Sequence, residues 1–292
     1  MNPSAPSQPR GSRHRGYLTF VLLVLAALAS GAAFADNVSG TQAYGDTTRA
    51  YRYSNGTPVL SEFWFFFQNG DHHLKKIKIR TEGGWNPNEV FLDFRDKNAD
   101  DPYQYEVGHH NIYKSSATTG AVSGYCTGVC TLYLSDRPSS QHVFVLQGFE
   151  FNYTSSDHHM NRIGVFEENR YLTLHFNDKN SDDRFYYVIN YAWLEPDAVD
   201  SEGTFSGTRA NGSVTESGWQ SSYRAMAGFY LDFESDCTSG GDHHVEEIGV
   251  RREHGAYNQY KLLYNDDNDD DCFDYEYQWV KLDGDHVIYN LF

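Results

Sequence analysis

One unit of about 84 residues recurs three times along this chain, and that repetition constrains the fold more than any other feature. Each unit opens with an apolar residue before Ser-Gly: Val38-Ser39-Gly40, Val122-Ser123-Gly124 and Phe205-Ser206-Gly207. An aromatic stretch follows, FWFFF at 63–67, FEFNY at 149–153 and FYLDF at 229–233. Next comes Asp-His-His, with isoleucine four residues past the second histidine at Ile77, Ile163 and Ile248. A further apolar stretch (90–94, 171–176, 260–264) leads into an acidic turn and a last aromatic strand, at 96–107, 178–191 and 266–280. So many features in one order exclude coincidence. They divide the chain into a leader at 1–35 and β repeats at 36–121, 122–204 and 205–292.

The periodicity within a unit is that of strands. Phe273, Tyr275, Tyr277 and Trp279 alternate with Asp274, Glu276 and Gln278, one face apolar and the other wet. Aromatic residues make up 16% of the chain and favour pleated, half-buried surfaces. No segment after the leader has a helical period. The expected fold is all-β: three tandem repeats of antiparallel β-sandwich-like modules, with one pseudo-threefold β body as the alternative. The Phe- and Tyr-rich strands suit a free edge poorly, so adjacent repeats are expected to cover one another's edges. Trp193 and Trp279 fall in the alternating last strands and read as core.

The leader has Arg10, Arg13 and Arg15, then the apolar run 17–28, then small residues up to Ala35. This order predicts a signal peptide cut before Asp36, and a secreted or periplasmic protein; the apolar run is short for a membrane anchor. Cleavage removes three arginines and no acids, taking the formal charge from −17 to −20. Such a charge disfavours nucleic acid and anionic lipid as partners. In an oxidising compartment the four cysteines are expected to pair as Cys126–Cys130 and Cys237–Cys272. A zinc site is the weaker alternative, because C-x3-C has no matching second pair.

Three polar elements are candidates for chemistry. The acidic turns carry Asp96, Asn98, Asp100 and Asp101, then Asp178, Asn180, Asp182 and Asp183, then Asp266, Asn268, Asp270 and Asp271. Alternate oxygens in a tight loop suit Ca²⁺ or another divalent cation. An EF-hand is rejected: its sixth-position Gly and twelfth-position Glu are missing. The competing reading is a solvated turn, in which Asp and Asn bond nearby amides.

The second element comprises Asp71, His72 and His73, Asp157, His158 and His159, and Asp242, His243 and His244, candidate metal or ligand residues. Adjacent side chains on a strand point to opposite faces, so His72 and His73 share an ion only across a bulge. Leu74 and Ile77 have opposite parity, which signals such a bulge. The bland reading is a half-buried histidine bonded to backbone. If the strand after Asp-His-His neighbours the strand before the acidic turn, the two elements meet. The third element is a ligand platform at Trp85 and Trp219, set against ordinary loop anchoring.

No nucleophile elbow, His-Glu-x-x-His motif or phosphate loop occurs, and no carboxylate pair is singled out, so the chain is not expected to be an enzyme. Repeated polar motifs fit avidity. The function expected from sequence is an exported multivalent binding protein, cation-stabilised, with a carbohydrate or cell-surface component as partner. The alternative is a structural envelope or matrix protein without a small-molecule site, and a metal-dependent hydrolase stands third.

Overall fold

The computed structural model describes residues 36–43, 45–50, 56–68, 73–81, 89–97, 101–154, 159–178, 183–210, 213–217, 223–233, 244–252, 259–266 and 272–288. The expected signal peptide lies outside them. The described residues form eighteen antiparallel strands and three short 3-10 turns, so the chain is all-β. The first repeat supplies β1 (Asp36–Gln42), β2 (Thr47–Ala50), β3 (Gly56–Phe67), β4 (Leu74–Thr81), β5 (Glu89–Asp96) and β6 (Tyr103–Tyr113). The second supplies β7 (Ala117–Thr127), β8 (Val129–Tyr133), β9 (Val143–Tyr153), β10 (Met160–Glu168), β11 (Tyr171–Asp178) and β12 (Arg184–Leu194). The third supplies β13 (Val199–Ala210), β14 (Ser213–Ser217), β15 (Arg224–Phe233), β16 (Val245–Arg252), β17 (Gln259–Asp266) and β18 (Cys272–Leu282).

These strands form three six-stranded sheets, ordered β1-β6-β3-β16-β17-β14, β13-β18-β15-β10-β11-β8 and β2-β5-β4-β9-β12-β7. Every sheet joins three strands of one repeat to three of another. Each repeat is thereby split, with its first, third and sixth strands in one sheet and its second, fourth and fifth in the next. Phe34–Phe292 form one compact unit. The repeat boundaries expected after residues 121 and 204 fall inside β7 and β13. This arrangement is the single-body alternative rather than modules joined only by linkers.

The seams between repeats are strand pairs. Ile77 of β4 lies opposite Phe151 of β9, Ile163 of β10 opposite Leu231 of β15, and Ile248 of β16 opposite Phe65 of β3. The aromatic strands β3, β9 and β15 therefore have no free edge: each lies between the last strand of its own repeat and the fourth strand of a neighbour. Glycines let these backbones approach. A Cβ on Gly148 would stand 2.2 Å from the Ile79 carbonyl oxygen, and one on Gly249 would stand 2.7 Å from that of Phe63.

The core lies where the inner faces of the aromatic strands meet. Phe63, Phe149 and Phe229 form a triangle of rings with centroids 5.3, 5.0 and 5.1 Å apart, and all three are fully or almost fully buried. Tilted and edge contacts of this kind add to the area that the rings bury. Further along the same strands, Phe67 stacks on Phe94, Tyr153 on Phe176 and Phe233 on Tyr264, at 4.2, 4.2 and 4.0 Å. A second apolar cluster closes the other end, with Val59, Val145 and Ala225 against Ile112, Leu194 and Leu282. Register shifts separate the two ends, between Leu60 and Glu62 on β3 and between Met226 and Gly228 on β15. On β9 the shift skips Gln147, whose side-chain amide donates to the Pro58 carbonyl at 2.9 Å.

Truncating a ring of the triangle removes a large buried group from a site that the other two rings cannot fill. Phe149→Ala is expected to cost about 3–5 kcal/mol of unfolding free energy. Gly148→Ala forces a methyl against backbone and is expected to cost about 1–3 kcal/mol. Equilibrium denaturation of both variants checks these values, and each should melt in one transition, because the repeats share all three sheets.

Candidate functional site

The second histidine of each Asp-His-His occupies the residue before the fourth strand of its repeat: His73 before β4, His159 before β10 and His244 before β16. Those strands are brought together by the seams just described, and the histidines converge. Ring centroids of His73 and His159 are 4.5 Å apart, those of His73 and His244 4.7 Å, and those of His159 and His244 5.1 Å. A nitrogen from each ring lies within 4.8 Å of the other two. The rings are at least partly enclosed, and Leu74, Met160 and Val245 immediately after them are fully buried. Nδ1 of His159 is buried and makes no hydrogen bond among the described residues.

The bulge read from the parity of Leu74 and Ile77 is present. The pairing of β4 with β5 shifts between Leu74 and Lys76, that of β10 with β11 between Met160 and Arg162, and that of β16 with β17 between Val245 and Glu247. Its effect differs from the one expected. It restores the isoleucine to the core face after the turn, and the histidines meet across repeats, one from each.

The first aspartates of the acidic turns come close to the same turn through the backbone. Leu74 is paired with Asp96, Met160 with Asp178 and Val245 with Asp266, and the Lys97 amide donates to the His73 carbonyl at 3.1 Å. The expected neighbour relation between the two strands is therefore present. Asp96 and Asp178 are buried at the ends of β5 and β11 rather than in a solvated turn. Asp101 and Asp183 are described but join no cluster of metal-ligating groups among the described residues. Asp71, His72, Asn98, Asp100, Asp157, His158, Asn180, Asp182, Asp242, His243, Asn268, Asp270 and Asp271 lie outside the described residues, as do Trp85 and Trp219.

Cys126 and Cys130 form a disulfide with Cα atoms 6.0 Å apart, tying β7 of one sheet to β8 of another. Cys272 is buried, and its expected partner Cys237 lies outside the described residues. Trp193 is fully buried, with its indole N–H donating to Asp136 at 3.3 Å; Trp279 packs against the core under the guanidinium of Arg224.

Charges outside the histidine cluster serve the seams. Lys76 of β4 pairs with the fully buried Asp93 at 2.9 Å and with Glu150 of β9 at 3.5 Å. Burial pushes the Asp93 carboxyl above its usual range, and the Arg95 and Lys76 cations counter that rise. The equivalent residue of β10, Arg162, pairs with Asp232 of β15 at 2.5 Å, and on β16 Glu247 accepts from the Trp64 indole of β3 at 2.6 Å. One cleft of about 470 Å³, lined in part by Arg137, Glu167, Glu202 and Gln278, lies between the second and third repeats. Burial also raises the Glu167 carboxyl, against the pull of the Arg170 amide. Sequence reading missed a set of exposed tyrosines, Tyr125, Tyr133 and Tyr171, at 57, 57 and 50% exposure, because alternation marks a face as wet without saying which wet residues are large.

No protein-family model matches the chain, and no curated protein matches it. Among solved structures it is similar to the major capsid protein P2 of bacteriophage PM2, at 6% identity, covering 55% of this chain and 98% of that one, with a TM-score of 0.22. A likeness of that size carries no argument about function.

His109 gives the fold a pH dependence of its own. Its imidazole is fully buried and donates from Nε2 to the Gln147 carbonyl at 2.8 Å. Burial pushes its pKa from 6.5 down to about 4, against the pull of that hydrogen bond. The unfolded chain takes up this proton near pH 6.5 and the folded chain only near pH 4. Stability from this group is therefore complete above pH 6.5 and is lost as pH falls towards 4, by about 3 kcal/mol at most. Denaturation midpoints measured across that range should fall with pH, and His109→Gln should flatten part of the slope.

Proposed function

We propose that the protein is an exported, non-enzymatic structural component of an envelope or matrix. One observation carries this reading: the repeats share all three sheets, so the chain is a single interlocked body rather than a string of separate binding modules. Multivalency from the Asp-His-His motif would need three separated copies of a site. The described histidines instead meet at one place. Export is supported by the leader's order of charge, apolar run and small residues, and by the Cys126–Cys130 disulfide, which suits an oxidising compartment. The acidic surface left after cleavage suits a component that must stay soluble before it assembles.

Carbohydrate binding is the second reading, and the exposed tyrosines favour it. Tyr125 packs against Tyr186 at 5.3 Å and Tyr133 against Tyr171 at 5.5 Å, aromatic pairs built on the exposed tyrosines and of the residue type on which sugars stack. All of them belong to the second repeat, so among the described residues this surface occurs once and not three times.

Two measurements separate the readings. Fractionation of cells expressing the whole chain, with mass spectrometry of its N-terminus, is expected to find protein beginning at Asp36 in the envelope or extracellular fraction. Cytoplasmic protein with an intact leader would overturn export. A glycan array is expected to show no retained sugar; saturable binding that Tyr133→Ala abolishes would favour the second reading instead.

A further inference from the structure

We propose that His73, His159 and His244 form one transition-metal site, of the kind that takes Zn²⁺, with one imidazole from each repeat. This goes beyond the structural reading, which rests on strand sharing and holds with or without an ion.

The geometry is the first support. Ligand atoms mutually within 4.8 Å lie no more than about 2.8 Å from a shared centre, and Zn–N bonds are about 2.1 Å, so small ring rotations complete a shell. The second support is placement. Each histidine is followed by a fully buried residue, and the His73 carbonyl accepts from the Lys97 amide. The three fourth strands are locked by their seams to the aromatic strands, and each histidine immediately precedes one of them. The third support is the buried Nδ1 of His159, a ring nitrogen with no hydrogen bond among the described residues.

The donor set decides the class of ion. The cluster offers imidazole nitrogens, and among the described residues no carboxylate belongs to it. Imidazole suits zinc, copper, nickel and iron, whereas Ca²⁺ needs six to eight oxygens. Calcium, the ion expected from the acidic turns, is not one that this donor set suits. Three imidazoles on a tetrahedral ion leave one position for water or a further ligand. Aromatic packing of three histidine rings without an ion is the competing account of the cluster.

Titration of the chelator-treated mature chain distinguishes them. Calorimetry with Zn²⁺ is expected to saturate at one equivalent per chain, and Co²⁺ should give the visible absorption of a tetrahedral site. The melting temperature should rise with Zn²⁺, because binding favours the folded state, and chelator should reverse the rise. His159→Ala and His244→Ala should each weaken binding tenfold or more. Three equivalents per chain would mean that each motif binds alone, and would overturn the proposal. No saturable binding by the wild-type chain would do the same and would establish simple ring packing. The wild-type stoichiometry decides even if a variant does not fold.

Discussion

The whole body depends on one kind of contact, the pairing of a fourth strand with the aromatic third strand of a neighbouring repeat. It occurs three times, as β4 with β9, β10 with β15 and β16 with β3. Each is an ordinary antiparallel ladder, yet each serves two ends. It removes the free edge of a strand too apolar to expose. It also carries one phenylalanine to the central triangle and one histidine to the cluster. Removing one seam would uncover backbone hydrogen-bonding groups on two repeats at once.

The three seams share a plan but use different chemistry on their outer faces. One is crossed by a lysine and a glutamate, one by an arginine and an aspartate, and one by a tryptophan indole and a glutamate. The inner faces barely differ: isoleucine lies opposite Phe151, Leu231 or Phe65. Packing against a crowded centre tolerates few shapes, whereas a polar pair needs only complementary charge or a hydrogen bond.

Much of this was legible in the sequence. Alternating Phe273, Tyr275, Tyr277 and Trp279 announced strands, and the clashing parity of Leu74 and Ile77 announced the bulge. The unsuitability of the aromatic strands as edges pointed to cover by neighbours. What could not be read was which strand pairs with which, because β3 finds its partner in the last repeat and nothing local encodes that choice. The histidine convergence depends on it. A motif that looked like three sites, each with two adjacent histidines, becomes one cluster only once the sheet order is known. The burial of Asp96 was hidden for the same reason: within its own stretch it reads as the first residue of a wet turn.

The split of every repeat between two sheets also bears on how the chain comes to be folded. Trp64 and Glu247, which bond across one seam, are 183 residues apart in the chain. Closing so long a loop early is unfavourable, and folds dominated by distant strand pairs form slowly. The first repeat, on leaving a ribosome or an export channel, has β3 with one side open until β16 exists. The order of synthesis therefore keeps the most aromatic edge unpaired for longest, and the last repeat closes it.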